Sequence, residues 1–302
     1  MVSPIVNLLV VLAVSPLLLG VINKTKALVA GRKGPPAFQV AYDLVKLFGK
    51  GFVVSRTTTW VFVAGPVLAV AAPLVALILL PLAGRPALLS FDGDMILLVG
   101  VFALARFFAA TAAMDTGSPF EGMGAAREVT YSALVEPALL FGMLALTRLS
   151  GSVSLTGMLD VRSAGAWQKA SASVVLILAS WFIVLLAENA RVPFDDPNTH
   201  LELTMIHEAM VLDHAGPAFG FVLYGAALKL TVFAALLVML LVPTHAGREV
   251  LDLVLFVGGL AGVGVVVGLV ESSMARLRLV RVPQLLVTAT LLAGFAVVLL
   301  VR

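Results

Sequence analysis

The chain has no cysteine, so disulfides, thiolate metal sites and cysteine-ligated iron–sulfur clusters are excluded from its own chemistry. Charge is scarce as well. Asp, Glu, Lys and Arg make up 12% of the 302 residues, about half the share found in an ordinary soluble domain. No soluble domain is expected, and residues 1–302 read as one transmembrane domain. Nucleic acid is not expected among its partners. What fills the chain instead is apolar: 61% of residues are hydrophobic and mean hydropathy is +1.08. This composition belongs to a polytopic membrane protein surrounded by the lipid bilayer. In hydrocarbon every backbone amide must be satisfied within its own segment, and apolar runs of about 20 residues do so as helices rather than barrel strands.

Eight such runs stand at about 4–22, 60–80, 95–113, 131–149, 171–188, 217–242, 251–270 and 284–301. The expected fold is all-α with about eight transmembrane helices, and an even number puts both termini on one side. The first run has no Lys or Arg ahead of it and is followed by Lys24 and Lys26, the reverse of a cleavable secretory signal. An uncleaved helix with its N-terminus outside is expected. The loops agree, because cytoplasmic connections carry the excess of Lys and Arg. The first loop holds Lys24, Lys26, Arg32, Lys33, Lys46, Lys50 and Arg56 against the acid Asp43, and the last holds Arg276, Arg278 and Arg281. The alternate loops carry Arg85, then Arg162 and Lys169, then Arg248. The working surface is therefore placed on the cytoplasmic face of a prokaryotic inner membrane.

An ionisable group inside a bilayer is costly and marks a pathway, a partner or an ion site. Arg106, Glu136, Glu188, Lys229 and Glu271 are such groups. Counted at ~1.5 Å per residue, all but Lys229 fall in the cytoplasmic half, and Lys229 falls near the middle of the sixth span. Two readings stand side by side. In one, these groups form a hydrated polar chain from the inner surface toward the membrane centre, suited to passing protons. In the other, Glu188 and Glu271 are interfacial helix ends and Arg106–Glu136 is a structural ion pair.

The segment from Glu188 to Glu208 concentrates acids and histidines: Glu188, Asp195, Asp196, His200, Glu202, His207 and Glu208. Pro193 and Pro197 interrupt any continuing helix, Asp195-Asp196-Pro197-Asn198 is turn chemistry, and Thr199 with Glu202 resembles a capping box opening a short helix. An acidic cytoplasmic loop opposes the charge trend, so it is expected to be buried against protein. His207-Glu208-Ala209-Met210-Val211 ends in Val where the zinc-protease pattern needs His, and no metal site is assigned. The first loop reads as a turn, Gly31 to Pro36, and then a basic amphipathic helix with Phe38, Tyr42, Val45 and Phe48 on one apolar face. A helix in the membrane interface and a docking element both fit that pattern. Residues 117–128 join turn residues to charges without evident local pairing. Gly262, Gly264 and Gly268 suggest small-residue helix packing.

Four motifs carry a family resemblance: Arg32-Lys33-Gly34-Pro35 with Gln39, Asp43 and Lys46-Leu47; Gly124-Ala125-Ala126-Arg127-Glu128; Glu188-x-x-Arg191-x-Pro193-Phe194-Asp195-x-Pro197; and Ala275-Arg276-Leu277-Arg278-x-x-Arg281-x-Pro283. Together they resemble the respiratory complex I subunit 1 family across nearly the whole chain. Within it, the segment His200 to Met210 is similar to the membrane subunit of energy-converting group 4 NiFe hydrogenases of the formate hydrogenlyase type, and lacks the Gly-Glu-Ser-Glu type segment of quinone-reducing members.

That resemblance implies a non-catalytic subunit anchoring a cytoplasmic redox arm. Glu128, Glu136, Glu188, Glu202 and Glu208 would line a polar path, with Arg106, Lys229 and Glu271 alongside. Arg32, Lys33, Asp43, Lys46, Asp115, Glu121, Arg127, Arg191, Asp195, Asp196, His200, His207, Arg276 and Arg278 would face hydrogenase large-subunit-like and iron–sulfur proteins. The NiFe centre and iron–sulfur clusters would belong to those partners, with no redox cofactor in this chain. Antiporter-like membrane subunits would move protons or sodium. Two alternatives remain: a quinone-site subunit of respiratory complex I, and a free-standing ion transporter, which should show an internal repeat that is not evident.

Overall fold

The computed structural model describes residues 4–160, 165–195, 205–242 and 249–301. Among them the regular elements are all helical: α1 (Pro4–Val29), α2 (Gln39–Phe48), α3 (Trp60–Leu79), α4 (Asp94–Asp115), α5 (Pro119–Ser150), α6 (Leu155–Leu159), α7 (Ala166–Lys169), α8 (Ser171–Glu188), α9 (Gly216–Leu241), α10 (Glu249–Ser273) and α11 (Val282–Val301), with single 3-10 turns between some of them. Eight of these, α1, α3, α4, α5, α8, α9, α10 and α11, are long and apolar enough to cross a membrane. This is the all-α, eight-span architecture expected from the apolar runs.

Two helices outrun their apolar cores. α1 continues to Val29, so Lys24 and Lys26 ride on its last turns instead of starting a loop. α5 begins at Pro119, twelve residues before the expected start at 131, because Pro119 occupies the first helical turn, where its missing N–H is no loss. The segment 117–128 is therefore mostly helix, not loop.

α9 is the axis of the bundle. It packs against α1, α2, α3, α8 and α10, and 67% of its apolar window is buried, against at most 44% in any other span. α11 fills the groove between α5 and α8, and α4 joins α3 to α5. α1 and α10 meet through Gly264 and Gly268, where a Cβ would stand 2.8 Å from Leu18 and 2.7 Å from Thr25; Gly262 faces open space.

The short helix α2 rests on the bundle through its second face, Val40 and Leu44. Both are buried, toward α1 and α9, while Phe38, Tyr42 and Val45 are 55%, 61% and 74% exposed. The apolar face read from the sequence is the one α2 turns outward, available to the membrane interface or to a partner.

Candidate functional site: a buried ionic array beneath the loops at one end of the bundle

Four spans each contribute one charged side chain to a single array. Arg106 of α4 donates from Nη1 to Glu188 Oε1 at 2.6 Å and from Nη2 to the Glu136 carboxylate. Lys229 of α9 lies 2.8 Å from Glu188 Oε2. Two cations thus face two carboxylates, so the array is neutral by formal count. That neutrality is what lets it exist: a lone charge there would carry the full desolvation penalty. Glu188 is the hub, with a cation on each oxygen and only 4% of its side chain exposed, whereas Glu136 is 36% exposed.

The position of Lys229 differs from the count along its span. α9 starts at Gly216, beyond the last residue of α8, so the middle of α9 is level with the final turn of α8 that carries Glu188. A helical side chain also leans toward its own N-terminus, which for α9 is the end nearest the 205–215 loop. Lys229 therefore joins the inner-half array.

Glu271 does not. Its side chain is fully buried, with Lys26 at 2.8 Å and Arg191 at 3.4 Å, in a second cluster between the ends of α1 and α10 and the residues after α8. Lys26 was missed because its partner is 245 positions away in the sequence and it reaches the carboxylate only through the extension of α1.

Two cavities connect the array to the loops. One, about 90 Å³, is lined by Phe102, Arg106, Glu128, Glu188, His207 and Lys229 among others. The other, about 20 Å³, is lined by Glu128, Tyr131, Glu188, Asp195 and Ile206. A single water needs roughly 15 Å³, so the first has room for several and the second for one. Glu128 and Glu188 border both. Glu136 lines neither and meets the array through Arg106.

The loops above are fastened by carboxylates and arginines acting within the chain. Asp195, 2% exposed, accepts from the backbone N–H groups of Ile206 and His207 at 3.1 and 3.3 Å and pairs with Arg276 at 2.8 Å. Next to it the Leu277 N–H donates to the Pro193 carbonyl at 2.9 Å, and the Tyr131 hydroxyl donates to the Leu279 carbonyl. Arg127 donates to the Met205 carbonyl at 2.9 Å. Gly124 lets α5 approach this strap, since a Cβ there would lie 2.8 Å from the Ile206 carbonyl oxygen. Glu121, 1% exposed, accepts from the Thr116 hydroxyl and the Asp213 N–H. Asp115 accepts from the Thr59 N–H at 2.6 Å, closing the start of α3. Asp195, Glu121 and Asp115 thus hold the loops at this end of the bundle to one another, in keeping with the burial expected of the acidic loop.

Of the remaining residues expected at a docking face, Arg32, Lys33, Lys46 and Arg278 are at least partly exposed, and Asp43 accepts from Gln39 within α2. Glu208 is half-buried in a 3-10 turn and lines neither cavity. Asp196, His200 and Glu202 lie outside the described residues, as does the expected capping box. Among the described residues no group of three His, Asp or Glu side chains is arranged to hold a metal ion. His214 stands edge-on to Phe62, ring centroids 4.1 Å apart. Burial outweighs the neighbouring Asp213 and pushes its imidazole down to about 4.

The family model described as NADH dehydrogenase matches residues 2–302. The chain belongs to the NADH dehydrogenase family. Within that family it is 34% identical over 289 residues to formate hydrogenlyase subunit 4 of Escherichia coli (strain K12), covering 93% of this chain and 92% of the relative. It is 32% identical over 240 residues to hydrogenase-4 component C of the same organism, covering 80% and 75%. Similarity to a subunit of the NADH-quinone oxidoreductase of Rubrobacter xylanophilus is 27% over 219 residues, covering 69% and 61%. A chain in the structure of the membrane-bound sulfane sulfur reductase, an archaeal respiratory membrane complex, matches with TM-score 0.85 at 20% identity over 98% of both chains; that likeness shows a shared fold. The family is the one the four sequence motifs resemble, and all three relatives are named as parts of larger assemblies.

Proposed function

We propose that this chain is the membrane-anchoring and ion-coupling subunit of a multi-subunit hydrogenase-type complex in the cytoplasmic membrane of a prokaryote. It docks hydrogenase large-subunit-like and iron–sulfur proteins through the basic surface of Lys33, Lys46 and Arg278. Those partners hold the NiFe centre and the clusters, and antiporter-like membrane subunits move the ion. The observation that carries this reading is the Arg106–Glu136–Glu188–Lys229 array, set directly under a strap that Asp195 and Arg276 hold in place.

The geometry supplies a coupling route. A redox-linked shift in the arm that moves the strap disturbs Asp195, which borders the same cavity as Glu188. Arg106 bridges two carboxylates, so a small swing toward Glu136 loosens Glu188 and raises its appetite for a proton arriving by way of Glu128.

The complex I reading, with a quinone site in this subunit, is supported by a relative at lower identity and coverage. Isolation of the tagged chain from its native membrane in mild detergent separates the two. The hydrogenase reading expects iron–sulfur and hydrogenase-like proteins to copurify with viologen-linked hydrogen activity. NADH- or quinone-linked subunits without that activity would replace it, and a chain that purifies alone would contradict both.

A further inference from the structure

The cytoplasmic ends of α1 and α10, with the loop 32–35, surround an open basin of about 630 Å³ that the coupling route does not use. Its wall includes Lys26 and Arg32 beside the polar side chains of Asn23 and Ser272. Lys24 donates to the Lys33 carbonyl at 3.1 Å, which fastens the loop 32–35 to α1. Glu271 sits behind the wall, held by Lys26 and Arg191, with no exposed side-chain surface. The charge presented outward is positive.

Such a cluster recognises a phosphate oxyanion. The surface below it indicates which kind. On α10, Gly262, Val265, Leu269 and Ser272 follow at helical spacing on the outer side, with Val265 39% and Leu269 47% exposed. This stripe descends from the basin into the depth of the hydrocarbon. A free phosphate has nothing to gain from it, whereas an acyl chain lies along it. We propose that the basin binds the headgroup of an anionic phospholipid, with one acyl chain running down α10. Basic pockets at the cytoplasmic ends of spanning helices suit such headgroups.

The test uses the intact purified complex, delipidated and returned to nanodiscs of phosphatidylglycerol or phosphatidylcholine, with retained lipid counted by native mass spectrometry. The wild type should retain phosphatidylglycerol in preference, and inorganic phosphate should not displace it. Arg32→Gln should lower retention by about fivefold. A phosphatidylglycerol analogue photoactivatable on its acyl chain should label residues 262–273. If the Arg32 variant loses its partner subunits, Ser272→Trp, which fills the basin without changing charge, should give the same loss of lipid in an intact complex. Equal retention of the two lipids, unchanged retention in the variants, labelling away from α10, or displacement by inorganic phosphate would each overturn the assignment.

Discussion

Glu188 is held by two cations that do different work. Arg106 also serves Glu136, so its removal strips both carboxylates, whereas Lys229 pairs with Glu188. Breaking a buried pair by deleting one partner costs ~3–5 kcal/mol, and because Glu188 keeps Lys229, Arg106→Met should fall at the low end, about 3 kcal/mol. Glu136→Gln acts on a partly exposed group and should lose about 1 kcal/mol or less. Thermal melting of the purified complex should rank the two variants in that order; equal losses would mean Arg106 does not anchor Glu188. His214 makes a pH prediction outside the spans. Its folded-state value is about 4 against an ordinary 6.5, so the unfolded chain takes up a proton in that interval and the folded chain does not. Stability from this site is complete above pH 6.5 and is lost as pH falls toward 4. His214→Phe keeps the ring packing on Phe62 and should show a smaller melting-temperature drop than the wild type when the pH is lowered from about 7 to about 5. The identities of the array members were legible in the sequence because charges inside apolar runs are conspicuous. Their pairing was not, because it depends on how far each helix starts from the membrane edge, which is why Lys229 joins the array and Glu271 leaves it.

Among the elements, the strap above the array depends on one carboxylate. Asp195 accepts two backbone N–H groups and one guanidinium, and Asp195→Asn weakens the charge-assisted bonds while leaving the shape. Hydrogen bonds to a charged group are worth ~1.5–3 kcal/mol, so the amides of Ile206 and His207 should exchange at least tenfold faster by hydrogen–deuterium exchange. Unchanged exchange would show that Arg127 and Gly124 suffice to hold the strap. The spans themselves were readable to within a few residues, since each apolar run must be a helix in hydrocarbon. The start of α5 and the end of α1 were not, because both extend into charged sequence that hydropathy discounts. The outward apolar face of α2 was legible from its helical spacing; that Val40 and Leu44 on its other side are buried depends on contact with α1 and α9.

At the scale of the whole molecule, α9 packs against four other spans, α1, α3, α8 and α10, and the Arg106–Glu136–Glu188–Lys229 array lies near one end of the bundle under loops that fasten to each other. An apolar body with polar cavities at one end and exposed basic residues beside them suits the coupling role proposed above. Family membership and relatives named as subunits of larger assemblies place it in a complex, and the proposed function makes the array its route for charge. The central claim is that Glu188 carries the coupling. The direct test is proton uptake by inverted membrane vesicles driven by the native electron donor, comparing the wild type with Glu188→Gln, alongside dye-linked hydrogen activity in the same vesicles. The account predicts that the variant assembles and keeps its dye-linked activity while its proton uptake per turnover falls at least severalfold. Uptake at the wild-type ratio in an assembled, active Glu188→Gln complex would contradict it.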